Sequence, residues 1–279
     1  MKFARRAIPA LLIAATATAQ SKPGISFDQT MVSVTSARAR IDTATTVMHS
    51  TSAGDDARID FEKGSFPTLG AFSPGPHAVV IMRDGGKEIF FINPDQKQYV
   101  LFKPFEMMEG VQKMLESMGG SMSVDTSVSR VNLDSVGPGP AIDGHPTLTY
   151  RLTSVMRMTM TMMGERHVVD NQSTQEIQAA TDLGEFGDLA GVNRFAELTQ
   201  AMGIPKGYFE TLATTRRRIH GFPLRAVVHT TTSAAGTTRT ADQTIETRNL
   251  KRLPVPDSLF TVPGDYKPVA MPAMPGAGT

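Results

Sequence analysis

Alternating apolar and polar residues predict β-hairpins along most of this chain. Apolar runs at residues 78–82 and 88–92 flank Asp84-Gly85-Gly86, whose residue types tolerate the positive φ angles of a tight hairpin turn. A second turn at residues 93–96 leads into another apolar run at 98–102. This pattern predicts a three-stranded antiparallel meander.

The same alternation predicts two longer hairpins and a further group of strands near the start of the chain. The first hairpin joins residues 147–163 to 166–180, the second joins 224–232 to 238–250, and residues 25–36 and 43–61 supply two or three more strands. Two stretches that are rich in proline and glycine, residues 70–76 and 137–146, predict loops.

Three stretches show helical spacing instead. Residues 104–118, 186–202 and 205–215 carry apolar residues three or four positions apart, which is the spacing of one helix face. The apolar side of the first includes Phe105, Met108 and Leu115. Because the helices are inserted between hairpins, the order favours a mainly β (α+β) fold. We expect one antiparallel sheet of about 9–11 strands that curls, with about three helices across its open side.

Both ends of the chain predict segments outside the folded domain. Three basic residues precede a short apolar run, and Ala17-Thr18-Ala19 supplies small residues at a cleavage site, so residues 1–19 are predicted to be a secretory signal peptide. The apolar run is about half of the ~20 residues that cross a bilayer, so no transmembrane segment is expected. Residues 20–267 would form one β-rich domain, and residues 268–279, which are rich in Pro, Ala and Gly, a disordered tail.

Composition narrows the possible functions. The chain has no cysteine, which excludes disulfides and thiolate metal sites. It has 28 basic and 27 acidic residues, and the predicted signal peptide contains three basic and no acidic ones, so cleavage leaves 25 and 27. This balance offers no electrostatic footprint for nucleic acid, which we therefore do not expect as a partner.

Four stretches together carry a resemblance to a known group of proteins. They are VIMRDGGKEIFFINPDQKQYVLF (80–102), MTMTMMGERHVVDN (158–171), HGFPLRAVV (220–228) and RNLKRLPVPDSLFTVPGDYK (248–267). The chain resembles an exported bacterial domain family related to the lipoprotein carriers LolA and LolB. The resemblance implies a LolA-like fold, a curved half-open antiparallel β-barrel with helices lidding an apolar cavity, in the periplasm of a Gram-negative-type bacterium. It implies no activity.

A row of methionines is the most distinctive local pattern. Alternate residues of an extended strand share a face, so the even-numbered methionines from Met156 to Met162 would point the same way. Flexible thioethers can form the wall of an apolar cavity, can bind Cu(I), or can simply pack a core, and the sequence leaves all three open. The predicted cavity lining is Met156, Met158, Met160, Met162, Phe105, Met108 and Leu115, and the alternative Cu(I) ligands are Met158, Met160 and Met162.

No motif identifies a reaction. The chain has no GxSxG, no GxxxxGK[ST] and no HExxH, and its six histidines show no tight pairing. We expect a non-enzymatic protein with no cofactor and no bound metal, and an active site without a sequence motif stays open.

The leading functional hypothesis is an exported protein, periplasmic or secreted, that binds a lipid, an acyl chain or another hydrophobic ligand. Its partner would be a hydrophobic small molecule or a lipidated protein. The alternatives are a periplasmic Cu(I)-binding protein that uses the methionine row, and an envelope scaffold whose apolar face docks another protein. The oligomeric state is left open.

Overall fold

The computed structural model describes residues 21–37, 40–64, 72–117, 119–162, 164–184 and 206–270. The predicted signal peptide at 1–19, the predicted helix at 186–202 and all but the first three residues of the predicted tail lie outside the described residues.

The described residues form thirteen strands, two α-helices and one short 3-10 helix. The strands are β1 (Ser21–Ala37), β2 (Arg40–Ala53), β3 (Asp56–Lys63), β4 (Val79–Arg83), β5 (Glu88–Asn93), β6 (Gln98–Phe102), β7 (Ser121–Val124), β8 (Arg130–Ile142), β9 (His145–Met162), β10 (Glu165–Ala180), β11 (Phe222–Ala234), β12 (Thr237–Pro256) and β13 (Lys267–Pro268). The helices are α1 (Pro104–Ser117), α2 (Lys206–Arg216) and the 3-10 helix at Asp257–Phe260.

All thirteen strands belong to one curved sheet that does not close. Its order is β13-β6-β5-β4-β3-β2-β1-β12-β11-β10-β9-β7, and β8 pairs with β9 beside β7. Every pairing is antiparallel except that of β13 with β6. The predicted meander is confirmed as β4–β6, and the two predicted long hairpins are confirmed as β9–β10 and β11–β12.

The prediction of about 9–11 strands is too low. The additional strands are short or contain proline: β7 has four residues, β13 has two, and β8 includes Pro138 and Pro140. The loop predicted at 137–146 is therefore wrong except at the turn Asp143-Gly144, because β8 continues to Ile142 and β9 begins at His145. Among the described strands β8 pairs only with β9, and such an edge strand tolerates proline because its outer side needs no N–H donor.

The helix predictions are confirmed at two of three places. Helix α1 matches the prediction for 104–118, and α2 matches that for 205–215. The described residues thus contain two α-helices instead of about three, because the segment that predicts the remaining one is not among them.

Helix α1 requires the sheet to curve. It connects β6, near one edge, to β7 at the other edge, ten strand positions away. Ten spacings of ~4.8 Å would separate these strands by about 48 Å in a flat sheet. The 14-residue helix covers about 20 Å, and its flanking residues extend the reach to about 40 Å. The chain can make this connection only if the two edges approach each other.

Apolar clusters cover both faces of the sheet. On one face Tyr150, Leu152 and Ile177 form a buried cluster, and Leu212 of α2 packs against it. We call this side the α2 face. On the other face Ala53, Ile81 and the neighbouring apolar residues pack beneath Phe260 of the 3-10 helix.

Removing the Leu152 side chain should destabilise the fold. Leu152 is 1% exposed at the centre of the α2-face cluster, so Leu152→Ala should lower the free energy of unfolding by about 2–5 kcal/mol through lost burial and the cavity left behind. Urea denaturation measures this change. The matched control is Leu253→Ala, because Leu253 is 38% exposed and should cost less than about 1 kcal/mol. Equal losses in the two variants would contradict this account of the core.

Candidate functional site

The methionine row continues outward from the core cluster along β9. Strand β9 pairs with β10 without any register shift from Thr147 to Met162, so alternate residues keep to one face. Met156, Met158 and Met160 therefore lie on the α2 face with Tyr150 and Leu152. All three are half-buried, whereas Leu152 is completely buried. The thioethers thus remain partly accessible where the core ends.

Neighbouring strands widen this row into a band. On β10, Val169 lies opposite Met158 and His167 lies opposite Met160. On β7, which pairs with the other edge of β9, Val124 lies opposite Met158 and Met122 lies opposite Met160. Directly opposed residues of an antiparallel pair share a face, so the band is three strands wide. Its apolar part is at Met158, because Asn171 and Glu165 lie opposite Met156 and Met162 on β10 and His167 lies opposite Met160.

Helix α2 covers only the beginning of the row. Leu212 packs on the core cluster, and the buried Tyr208, the third residue of α2, is hydrogen-bonded to Ser154. Ser154 immediately precedes Met156 on the α2 face. Burial raises the pKa of the Tyr208 phenol, and the hydrogen bond from Ser154 and the Arg216 guanidinium oppose that rise. Met158 and Met160 lie farther along β9 than Ser154, the residue that Tyr208 contacts.

The opposite face of the same hairpin is polar. The Arg157 guanidinium donates to both carboxylate oxygens of Asp170, at 2.6 and 3.1 Å, and holds the pKa of that carboxyl below its usual value. Arg151 lies 3.8 Å from Glu176 on the same side. These two ion pairs make the opposite face of β9 and β10 less suited to an apolar molecule than the α2 face.

The predicted cavity residues of the first helix are spread along α1 between the two edges of the sheet. Phe105 is half-buried in the first turn of α1, directly after β6, and eight strands separate β6 from β9. Leu115 is near the C-terminal end of α1, which leads into β7 beside β9. The side chains of Met108 and Leu115, like that of Met162, lie outside the described part of the structure.

The structure also contains a cleft, away from the methionine row, that the sequence did not predict. A cleft of about 440 Å³ is lined by Asp143, His145, Leu183, Leu224, Thr247, Arg248, Asn249 and Leu250. Asp182 lies beside it and accepts a hydrogen bond from Nδ1 of His145 at 2.9 Å, and this bond lowers the pKa of Asp182. The lining comes from four separate segments, so only the tight turn at Asp143-Gly144 carries a local sequence signal. The polar lining suits a small hydrophilic molecule better than a lipid.

Metal ligands of the usual hard type are not grouped in the described part of the chain. No set of three or more His, Asp or Glu residues there could hold an ion. Neither described helix has both the length and the hydropathy needed to cross a bilayer.

Comparison with known proteins yields only remote likenesses. No family model and no curated protein matches the chain. The solved structure of PNGF-II has a TM-score of 0.27 at 11% identity, and the match covers 88% of this chain but only 31% of that one. An outer membrane lipoprotein-sorting protein domain from Vibrio parahaemolyticus has a TM-score of 0.25 at 8% identity, covering 83% and 85% of the two chains. A DUF1329 family protein from Desulfovibrio piger has a TM-score of 0.21 at 9% identity, covering 86% and 90%.

The buried phenol of Tyr208 should make stability fall at alkaline pH. The folded state raises the pKa of Tyr208, so above pH ~10 the unfolded state loses its proton first and stability decreases until the folded pKa is passed. Tyr208→Phe should remove this part of the pH dependence and lower the free energy of unfolding by about 1 kcal/mol at neutral pH, through the lost hydrogen bond. Denaturation at pH 8 and pH 11 compares the two proteins. Identical alkaline losses would contradict a buried Tyr208.

Proposed function

We propose that this chain binds a lipid, an acyl chain or another hydrophobic molecule along the methionine row on the α2 face. The observation that carries the proposal is the partial exposure of Met156, Met158 and Met160 on the face where Leu152 is only 1% exposed. Apolar side chains that stay accessible at the border of a core can contact an apolar guest.

The physical chemistry of the row fits a ligand of variable shape. The residues from Met156 to Met162 extend about 20 Å along β9, and thioether side chains repack around different guests at little cost. Each methylene taken out of water contributes about 0.8 kcal/mol, so an acyl chain lying along the row offsets an association cost of several kcal/mol. Helix α1, which crosses between the sheet edges, would cover the bound molecule.

The proposed setting is the periplasm of a Gram-negative-type bacterium, with secretion as the alternative. It rests on the predicted signal peptide at residues 1–19. In that setting a binding protein of this kind would carry lipids or lipidated proteins through water, where their acyl chains need a cover.

A charge placed in the row should weaken the binding of apolar ligands. Met158→Lys puts an ammonium between Val124 and Val169, and burying it unpaired under a ligand costs enough to weaken binding at least ~10-fold. Titration with the fluorescent fatty acid cis-parinaric acid measures the change.

Thr159→Lys is the matched control, because Thr159 is the next residue on the same strand and faces the other side. It should leave the affinity within about 2-fold. Equal affinity of the Met158→Lys and parent proteins would overturn the proposal. So would failure of the parent protein to bind the probe, together with absence of copurifying lipid by native mass spectrometry.

A second candidate function is Cu(I) binding, which one register position favours. Met160 has Met122 directly opposite on β7 and His167 directly opposite on β10. Two thioethers and an imidazole on one row are soft and borderline donors, which suit Cu(I) in a chain without cysteine.

Replacing Met158, Met160 and Met162 by Leu should separate the two functions. Leucine keeps the volume and apolarity of methionine, so cis-parinaric acid affinity should stay nearly unchanged. Cu(I) affinity, measured by competition with bathocuproine disulfonate under reducing conditions, should fall at least ~10-fold if thioether sulfur binds the ion. Unchanged Cu(I) affinity in the triple variant would exclude the copper function.

A further inference from the structure

Three polar side chains on the face opposite α2 form a hydrogen-bonded chain. Oγ of Ser26 lies 2.8 Å from Nε2 of His49, and Nδ1 of His49 lies 2.6 Å from Oδ1 of Asp28. Strands β1 and β2 create this arrangement, because His49 is directly opposite Asp28 and diagonal to Ser26.

The carboxylate is held from its other side as well. Oδ2 of Asp28 accepts a hydrogen bond from the Asn249 side-chain amide at 2.7 Å. Asn249 has a φ of 54° and lies in the register shift between β1 and β12, which turns its side chain toward Asp28. The Asn249 amide, followed by His49, lowers the pKa of Asp28, so this group is a carboxylate at neutral pH.

The hydrogen bonds fix the roles of the two imidazole nitrogens. A carboxylate only accepts hydrogen bonds, so Nδ1 of His49 must carry a proton and donate it to Asp28. In the neutral ring Nε2 then has a free lone pair and accepts the hydroxyl proton of Ser26. This is the relation of nucleophile, base and orienting acid that activates a serine for attack on an acyl carbon.

We propose that Ser26, His49 and Asp28 form a nucleophilic site for acyl transfer from small esters or thioesters. Ser26 and His49 are the catalytic residues, and Asp28 is a positioning residue that acts through His49. Asn249 in turn positions Asp28.

The proposed reaction is a hydrolysis in two steps. Oγ of Ser26 bonds to the carbonyl carbon while its proton passes to Nε2 of His49, and the alcohol or thiol leaves with that proton as its bond to the carbonyl carbon breaks. Water then attacks the acylated serine, gives a proton to Nε2, and the carboxylic acid departs as Ser26 recovers its hydrogen. No oxidant, metal or second substrate is required.

The surroundings limit the substrate to a small acyl compound approaching from solvent. Ser26 is 9% exposed, whereas the His49 side chain beside it is 43% exposed, so access to Oγ lies along the imidazole. Lys251 lies directly opposite Ser26 on β12 and its charge reaches Asp28. An ammonium in this place can stabilise the negative charge that develops on the carbonyl oxygen.

The site is independent of the proposed ligand face. Neighbouring strands from β10 to β1 pair Ile177 with Ala226, Ala226 with Ile245, and Ile245 with Met31. Directly opposed residues share a face, so Met31 of β1 lies on the α2 face. Since alternate residues face opposite sides, Ser26 and Asp28 lie on the other face. The proposal departs from the expectation of a non-enzymatic chain, which rested on the absence of local motifs, because these three residues are joined only by strand pairing.

Labelling with a fluorophosphonate probe tests the nucleophile in the full-length protein. The parent protein should be labelled at Ser26, with loss of fluoride, and should hydrolyse p-nitrophenyl acetate. Ser26→Ala should abolish both, and His49→Ala or Asp28→Asn should slow hydrolysis by about 10²–10⁴-fold. The control Ser50→Ala changes a serine of equal burial, 7% exposed, on the neighbouring strand, and should leave both activities unchanged. Labelling at another serine, or none at any, would overturn the proposal.

A thiol at position 26 provides a readout that does not depend on turnover. The chain has no cysteine, so Ser26→Cys creates its only thiol, and Ser50→Cys creates a matched one. If His49 acts as a base, iodoacetamide should alkylate the Ser26→Cys protein at least ~10-fold faster than the Ser50→Cys protein at pH 7. Adding His49→Ala should remove the difference. Equal rates with His49 present would show that the hydrogen-bonded chain is structural only, and would overturn the proposal even if the Ser26→Ala variant folds poorly.

Discussion

The antiparallel ladder between β1 and β12 is the interaction on which the rest of the sheet depends. Strands β2 to β6 and β13 lie on one side of it and β7 to β11 on the other, so among the described strands this ladder alone joins the two groups within the sheet. It pairs residues from Ser21↔Pro256 to Ala37↔Arg239, which are more than 200 positions apart at every step. Forming it closes a very long loop, whose entropy cost many consecutive backbone hydrogen bonds offset. Helix α1 supplies the covalent link on the opposite side.

This ladder also separates two kinds of chemistry. The methionine row lies on β9, in the group of strands β7 to β11, on the α2 face. Ser26, Asp28 and Asn249 lie at the ladder itself, on the other face, where the shift between Ser26 and Asp28 breaks the regular pairing. A register shift re-aims side chains that a regular ladder would hold parallel, and it is here that an asparagine reaches across to an aspartate. An apolar guest and a small acyl compound would therefore meet different sides of one sheet.

Local pattern was sufficient to predict the long hairpins but not the strands at the sheet edges. Turn residues such as Gly164 and Gly236 have the positive φ expected of them, and the runs beside them are apolar at alternate positions. Strand β8 escaped prediction because Gly137 to Pro140 has the composition of a loop, and only tertiary pairing with β9 makes it a strand. The shared face of the methionines follows from β9 alone, whereas their partial exposure depends on what packs against β9 in the folded chain, which no local pattern encodes.

The Ser26 site shows where a longer inference from the sequence would have been possible. Ala37 pairs with Arg40, and counting back along both strands places Asp28 opposite His49. Residues 25–36 and 43–61 are both predicted as strands, so knowledge of that one pairing would have brought the aspartate and histidine together. The contribution of Asn249 could not be found in this way, because it depends on a pairing across more than 200 residues and on a left-handed backbone.

The short strand β13 protects one edge of the sheet from pairing with another molecule. Lys267 and Pro268 pair with β6, and the Val269 amide donates to the Tyr99 carbonyl oxygen at 2.8 Å, so hydrogen-bonding groups of one border of the sheet are occupied by the chain's own terminus. At the other border, Pro138 and Pro140 interrupt the row of amides that β8 could present. An open sheet is otherwise a template on which identical molecules add strand by strand into aggregates. In this protein the two-residue strand β13 at one edge and Pro138 and Pro140 at the other reduce the number of backbone groups that could start such intermolecular pairing.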